Sequence, residues 1–114
     1  MPLTIQSCQG TVTAYLQGEI DHHSATAIRE EIDSYLTGGQ VSLLILDFGG
    51  VTFMDSSGIG LVMGRYRQME YQGGALQLVN TPPQIYKVMR IAGLHKLATI
   101  ERAPQKEEEE NKGC

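Results

Sequence analysis

No part of this chain approaches the ~18 consecutive apolar residues that a membrane-spanning helix needs. The opening Met1-Pro2-Leu3-Thr4 lacks both the basic and the apolar region of a signal peptide, so the cytoplasm is the expected location. Cysteine is scarce: Cys8 lies near the start and Cys114 at the last position. Such a pair makes a poor disulfide framework, and neither residue has a second ligand at metal spacing, so both are expected as reduced thiols. Positive charge is also in short supply, with nine Lys and Arg against 13 Asp and Glu and a formal net charge of -4. Without a basic patch to face phosphates, direct nucleic-acid binding is not expected. No internal repeat is visible.

What remains is ordinary for a globular protein. Hydrophobic residues make up 41% and charged residues 19% of 114 positions, enough to bury one core and too few for a second module. Glu107, Glu108, Glu109 and Glu110 stand against only Lys106 and Lys112 near the C-terminus. Residues 1–103 are therefore expected to form one domain, and 104–114 a solvated, disordered acidic tail.

Leu3 and Ile5, then Val12, Ala14 and Leu16, alternate with polar residues about the turn at Gln9-Gly10, which predicts a strand hairpin. From Ser24 the spacing lengthens to three and four: Ala25, Ile28, Ile32, Tyr35 and Leu36 make an amphipathic helix stopped by Gly38-Gly39. Val41 to Leu46 does not alternate, so it is expected as a strand covered on both faces and closed by Asp47 and Gly49-Gly50. A second helix is drawn from Ser57 to about Gln72, with Ile59, Val62, Met63, Tyr66 and Met69 as its apolar stripe. A strand from Ala75 to Val79 follows, then a short helix opened by Pro82-Pro83 and ended by Gly93, and a last short strand from Leu97 to Ile100. This order implies an α/β fold with a mixed sheet of about four to five strands and about three to four helices packed against it.

The informative segment is Phe53-Met54-Asp55-Ser56-Ser57-Gly58-Ile59-Gly60, between a strand and a helix. Asp55 and Ser56 are both good N-cap residues, because their side-chain oxygens can accept from the first backbone N–H groups of the helix. Gly58 and Gly60 cost helix propensity, about 1 kcal/mol each relative to Ala, and point either to close approach by a partner or to packing against a neighbour. A phosphate on Ser57 would meet the positive end of the helix, so the folded domain could carry it. The same phosphate would add roughly -1.5 to -2 of charge beside Asp55, enough to repel an acidic partner or block a close fit. A tight helix cap without further function is the plainer alternative.

The run from Asp55 through Gln68, together with Gly18-Glu19-Ile20-Asp21, closely resembles the anti-sigma factor antagonists of the STAS domain family. The Gly64-Arg65-Tyr66 ending is most similar to the sporulation type, and the resemblance covers roughly residues 3 to 102. It implies a protein without catalysis or cofactor of its own. Its unphosphorylated form would bind an anti-sigma factor that is also an ATP-dependent serine kinase, releasing the sigma factor. Phosphorylation of the second serine, here Ser57, would end binding, and a metal-dependent PP2C-type phosphatase would restore it. The resemblance puts Asp55, Ser56, Gly58 and Gly60 around Ser57 and adds Asp21 to the same partner-binding face. A general stress-response adaptor or scaffold with a different kinase client is the alternative. A monomer is the simplest expectation, with a weak dimer as the second.

Other constellations point nowhere specific. His22-His23 are adjacent and face different ways, with no further ligand at metal spacing. A serine hydrolase using Ser57 would need a Gly-x-Ser-x-Gly elbow, which is absent. Gly38-Gly39 and Gly73-Gly74 close helices rather than open them, unlike phosphate-cradling loops. Arg65 and Arg67 lie off the apolar stripe and are expected to be exposed, with Arg65 a candidate partner contact.

Overall fold

The computed structural model describes residues 3–104. Five strands and three α-helices follow in the order β1 (Leu3–Cys8), β2 (Thr11–Ile20), α1 (His22–Leu36), β3 (Leu43–Met54), α2 (Ser56–Gln72), β4 (Ala75–Thr81), α3 (Pro83–Ile91) and β5 (Thr99–Arg102), with a single 3-10 turn at Leu94–Lys96. The β1–β2 hairpin turns on Gln9 and Gly10, both at positive φ (51° and 85°), which matches the twist of the flanking strands.

Strand order is β1-β2-β3-β4-β5, with β1 antiparallel to β2 and every later pair parallel. Each crossover through α1, α2 and α3 therefore steps one strand the same way, and a common right hand puts all three helices on one face. Burial agrees. Val12, Leu44 and Leu76 lie in register, as do Ala14, Leu46 and Leu78, and all six are buried against Ile28, Ile32, Leu61, Val62, Ile85 and Met89 in one core. On the reverse face Thr13, Ile45, Gln77 and Thr99 form another row, in which Gln77 and Thr99 are exposed and Ile45 is half-buried. The expectation that β3 is covered on both faces is thus corrected: sequential crossovers of one hand leave the second face without a described helix.

β3 also runs further than the sequence suggests, straight through Asp47 and Gly49-Gly50 to Met54. The glycines serve a bulge instead of an end. Tyr15 pairs with Asp47 but Gln17 with Gly50, so β3 carries an extra residue there, and the Asp47 carboxylate accepts from the Gly49 N–H at 2.8 Å. A Cβ at Gly50 would lie 3.1 Å from the Leu16 carbonyl oxygen.

The buried stripe of α2 is Gly58, Leu61, Val62, Arg65 and Met69, with Ile59, Met63 and Tyr66 only partly buried beside it. The stripe is rotated from the expected one because it includes a charge. Arg65 is 7% exposed, and its Nε lies 3.2 Å from Asp33 Oδ1 on α1. The contact is ionic but misaligned for a hydrogen bond, and neither atom has a hydrogen-bond partner among the described residues. Burial pulls the guanidinium below its usual range while Asp33 acts in the opposite sense. The exposure expected for Arg65, and with it a direct partner contact, is overturned: the side chain ties α1 to α2 inside the domain. Arg67 is exposed, as expected.

The thiol state expected of Cys8 turns on the chain's second cysteine, Cys114. Cys114 and the acidic residues of the expected tail lie outside the described residues.

Candidate functional site: two helix starts at one sheet edge

The last paired residues of β2 and β3 are Ile20 and Met54, and the next residue on each strand is an aspartate that caps a helix. The Asp55 N–H donates to the Ile20 carbonyl at 3.3 Å, which locks the two caps side by side. Asp21 Oδ1 accepts from the His23 and Ser24 N–H groups at 2.9 and 3.1 Å. Ser24 completes the capping box by accepting from the Asp21 N–H at 3.1 Å, and its hydroxyl donates to the Glu19 carbonyl at 2.9 Å. The Ser24 N–H is the main reason that the Asp21 carboxyl is held below the usual carboxylate range, aided by the His23 N–H and charge and opposed by desolvation.

On α2 the cap is Asp55 alone. Its Oδ1 accepts from the Ser57 N–H at 2.8 Å, while its carbonyl accepts from Gly58 at 3.0 Å. Ser56 is the first helical residue and exposed; Ser57 is the second and half-buried. Because Asp55 performs the capping, the Ser57 hydroxyl is not drawn into it, and it has no hydrogen-bond partner among the described residues. It stands at the positive end of α2 with the positive end of α1 on the neighbouring strand. A phosphate there would be received by oriented backbone dipoles, while the Asp21 and Asp55 carboxylates flank it.

The structure separates the two glycines that the sequence treats alike. Gly58 is buried: a Cβ there would run into Met54 Cγ, lie 2.7 Å from Met54 Sδ and sit 3.2 Å from Ile20 Cγ2. The close approach at Gly58 comes from the domain's own core, which corrects its assignment to the partner face. At Gly60 the Cβ would meet none of the described residues within 4 Å, and the residue is exposed. Asp21, Asp55, Ser56, Ser57 and Gly60 are thus brought to one edge, whereas Gly58 and Arg65 are internal.

Phe53 was missed as a site residue by sequence reasoning. It pairs with Glu19 at the same edge and is 49% exposed, an apolar side chain beside the serines. Its neighbours carry the signal that could have found it, since Val51 and Met54 are buried while Thr52 and Phe53 both face out.

Among the described residues no histidine hydrogen-bonds the Ser57 hydroxyl. A hollow of about 430 Å³ lies at the far strands, lined by Val79, Asn80, Glu101, Arg102 and Pro104, and Ser57 is not part of it. His22 and His23 occupy the first turn of α1 with their rings edge to face, centroids 5.8 Å apart.

The STAS domain family pattern matches residues 3–107. An anti-sigma F factor antagonist of Lysinibacillus sphaericus is 43% identical over 84 residues, 74% of this chain and 72% of that protein. The chain belongs to the STAS domain family of anti-sigma factor antagonists. Two solved structures agree in fold. One is the anti-sigma factor antagonist SpoIIAA in its unphosphorylated form, with a TM-score of 0.72 and 34% identity over 90% of each chain. The other is the Bacillus cell-fate determinant SpoIIAA in its phosphorylated form, with a TM-score of 0.70 and 36% identity, covering 86% of this chain and 89% of that one. The five-stranded mixed sheet and three α-helices of this STAS domain match that fold. No described helix is long and apolar enough to cross a membrane.

Proposed function

We propose that this STAS protein is a cytoplasmic partner switch controlled at Ser57. Unmodified, it docks the edge formed by Asp21, Asp55, Ser56, Ser57 and Gly60 against an anti-sigma factor that is also an ATP-dependent serine kinase, and so frees the sigma factor. The kinase phosphorylates Ser57, the antagonist lets go, and a PP2C-type phosphatase returns it to the binding form. The protein itself performs no catalysis and needs no cofactor.

The observation that carries this reading is the placement of Ser57 as the second residue of α2, capped by Asp55 and flanked by the Asp21 cap of α1. That placement lets one hydroxyl be both a docking contact and a phosphoacceptor, because a new phosphate changes the charge of the docking edge while its helix tolerates it. Relatives named anti-sigma F factor antagonist, and a neighbour described in phosphorylated and unphosphorylated forms, support the same assignment.

The deciding experiment is phosphosite mass spectrometry on the native protein isolated in growth and in starvation. A single phosphate on Ser57 whose occupancy changes between the two states is the expected result. An unmodified, well-covered Ser57 peptide in both states would reduce Asp-Ser-Ser-Gly to a helix cap.

A further inference from the structure

A second surface of the domain has a chemistry that the Ser57 edge does not. From Tyr71 through Ile100 the chain has no carboxylate, although its formal charge is -4. Lys87, Arg90 and Ile91 fall three and four apart on α3, so they share one helical face, opposite the buried Ile85 and Met89. Ile91 is 81% exposed, and Ala92 beside it is exposed too. Gly93 then turns the chain through a left-handed residue into the 3-10 turn, from which Lys96 and Leu97, the latter 40% exposed, continue the surface. Lys87, Arg90 and Lys96 make no ion pair and no side-chain hydrogen bond among the described residues. An apolar centre edged by uncommitted cations is therefore presented to solvent.

Its position follows from the topology. β4 is parallel to β3, so α3 starts at the edge that carries Asp21 and Ser57 and returns to the opposite edge, where β5 begins. Ile91 and Lys96 thus lie at the far end of the domain from the phosphorylation site.

We propose that the α3 surface formed by Lys87, Arg90, Ile91, Ala92, Lys96 and Leu97 docks a carboxylate-rich segment of a partner protein carrying apolar anchors, and does so whether or not Ser57 is phosphorylated. Charge complementarity selects this occupant. The cations fit Asp and Glu side chains around an apolar contact, in the arrangement of a rim about a core. An anionic bilayer is the poorer fit, because two cations on a nine-residue helix and a third on the 3-10 turn after it must hold a chain of net negative charge against a surface of the same sign. A protein segment instead meets the local field within a screening length of ~8 Å. Two surfaces at opposite ends would let one partner stay bound while the Ser57 edge is exchanged.

The test carries a benzophenone side chain at position 92 of the full chain and maps photo-crosslinked peptides in host lysate. The expected adduct is a carboxylate-rich peptide, formed equally by the Ser57→Ala and Ser57→Asp backgrounds. It falls about tenfold or more in Lys87→Glu/Arg90→Glu/Lys96→Glu and at about 1 M salt, where the screening length is ~3 Å. Ile91→Asp gives a second reading if the triple variant does not keep the wild-type melting curve. No adduct, an adduct on a neutral or basic peptide, one that survives charge reversal, or one that depends on Ser57 would overturn the proposal. So would co-sedimentation of the wild-type chain with phosphatidylglycerol vesicles in place of protein capture.

Discussion

Gly58 and Gly60 are two residues apart on one helix, yet replacing each by alanine should move stability in opposite directions. At Gly60 the new methyl enters open space, so Gly60→Ala collects only the helix-propensity gain of about 0.5–1 kcal/mol. At Gly58 the same gain is opposed by overpacking. The methyl runs into Met54 Cγ and lies 2.7 Å from Met54 Sδ and 3.2 Å from Ile20 Cγ2, and these neighbours are 4% and 0% exposed and have nowhere to go. Overpacking a filled core costs about 1–3 kcal/mol, leaving Gly58→Ala about 1–2 kcal/mol less stable than wild type. The two variants should then differ by about 2–3 kcal/mol, or about 8 °C or more in melting temperature. Urea unfolding followed by circular dichroism, with an unchanged slope, measures the difference. A Gly58→Ala protein as stable as wild type would refute the packing argument and return Gly58 to the partner face. Gly60→Leu tests the other half, and should weaken kinase binding more than it weakens the fold.

Three further outcomes follow from the same geometry. Ser57→Asp should keep the wild-type melting curve and bind the kinase weakly, while Ser57→Ala binds and cannot be switched off; tight binding by a folded Ser57→Asp protein in a pull-down would contradict the switch. Asp33→Asn should destabilise the domain by about 1–3 kcal/mol, because it leaves the Arg65 guanidinium buried without its counter-charge, whereas Arg65→Met exposes no such debt and should cost less in thermal melts. Since the folded Asp21 carboxyl is held below its usual range, its capping stability is complete above the ordinary carboxylate range and is lost as pH falls through the lower folded value. Asp21→Asn should therefore flatten the acid limb of the stability–pH profile below about pH 4, and an unchanged limb would show that the cap is not ionised.

Local chemistry was the most readable part of the chain. The cap at Asp55, the turn at Gln9-Gly10 and the left-handed Gly93 depend on residues within four positions of each other, so spacing exposes them, whereas the Asp21 cap was not read from the sequence. Features set by distant partners were not readable. Arg65 looks like a surface cation until α1 supplies Asp33, and the Asp47-Gly49-Gly50 run looks like a strand end until β2 supplies the bulge partner. Gly58 needed both β2 and β3, since Ile20 and Met54 are what fill the space a side chain would take. The bare second face of the sheet is a property of crossover order, which no single segment contains.

Under the proposed switch, the arrangement also fixes where the effect of Ser57 phosphorylation must fall. Inside the domain the new charge meets opposing terms of similar size. A helix N-terminus stabilises an anion by about 0.3–1 kcal/mol, and a nearby carboxylate in a high-dielectric surface repels one by on the order of 1 kcal/mol. With two helix starts and two capping aspartates at the edge, these contributions largely cancel, so Ser57 phosphate should neither melt α2 nor lock it. A partner pressed against the same edge faces a different sum. It excludes water from the phosphate and lowers the local dielectric, so each like charge across the interface counts for more than it does at the free surface. The switch therefore resides in the complex: wild-type and phosphorylated chains should melt within about 1 kcal/mol of each other while their affinities for the kinase diverge by far more. A phosphorylated chain that lost several kcal/mol of stability on its own would move the switch into the fold and leave the docking edge a bystander.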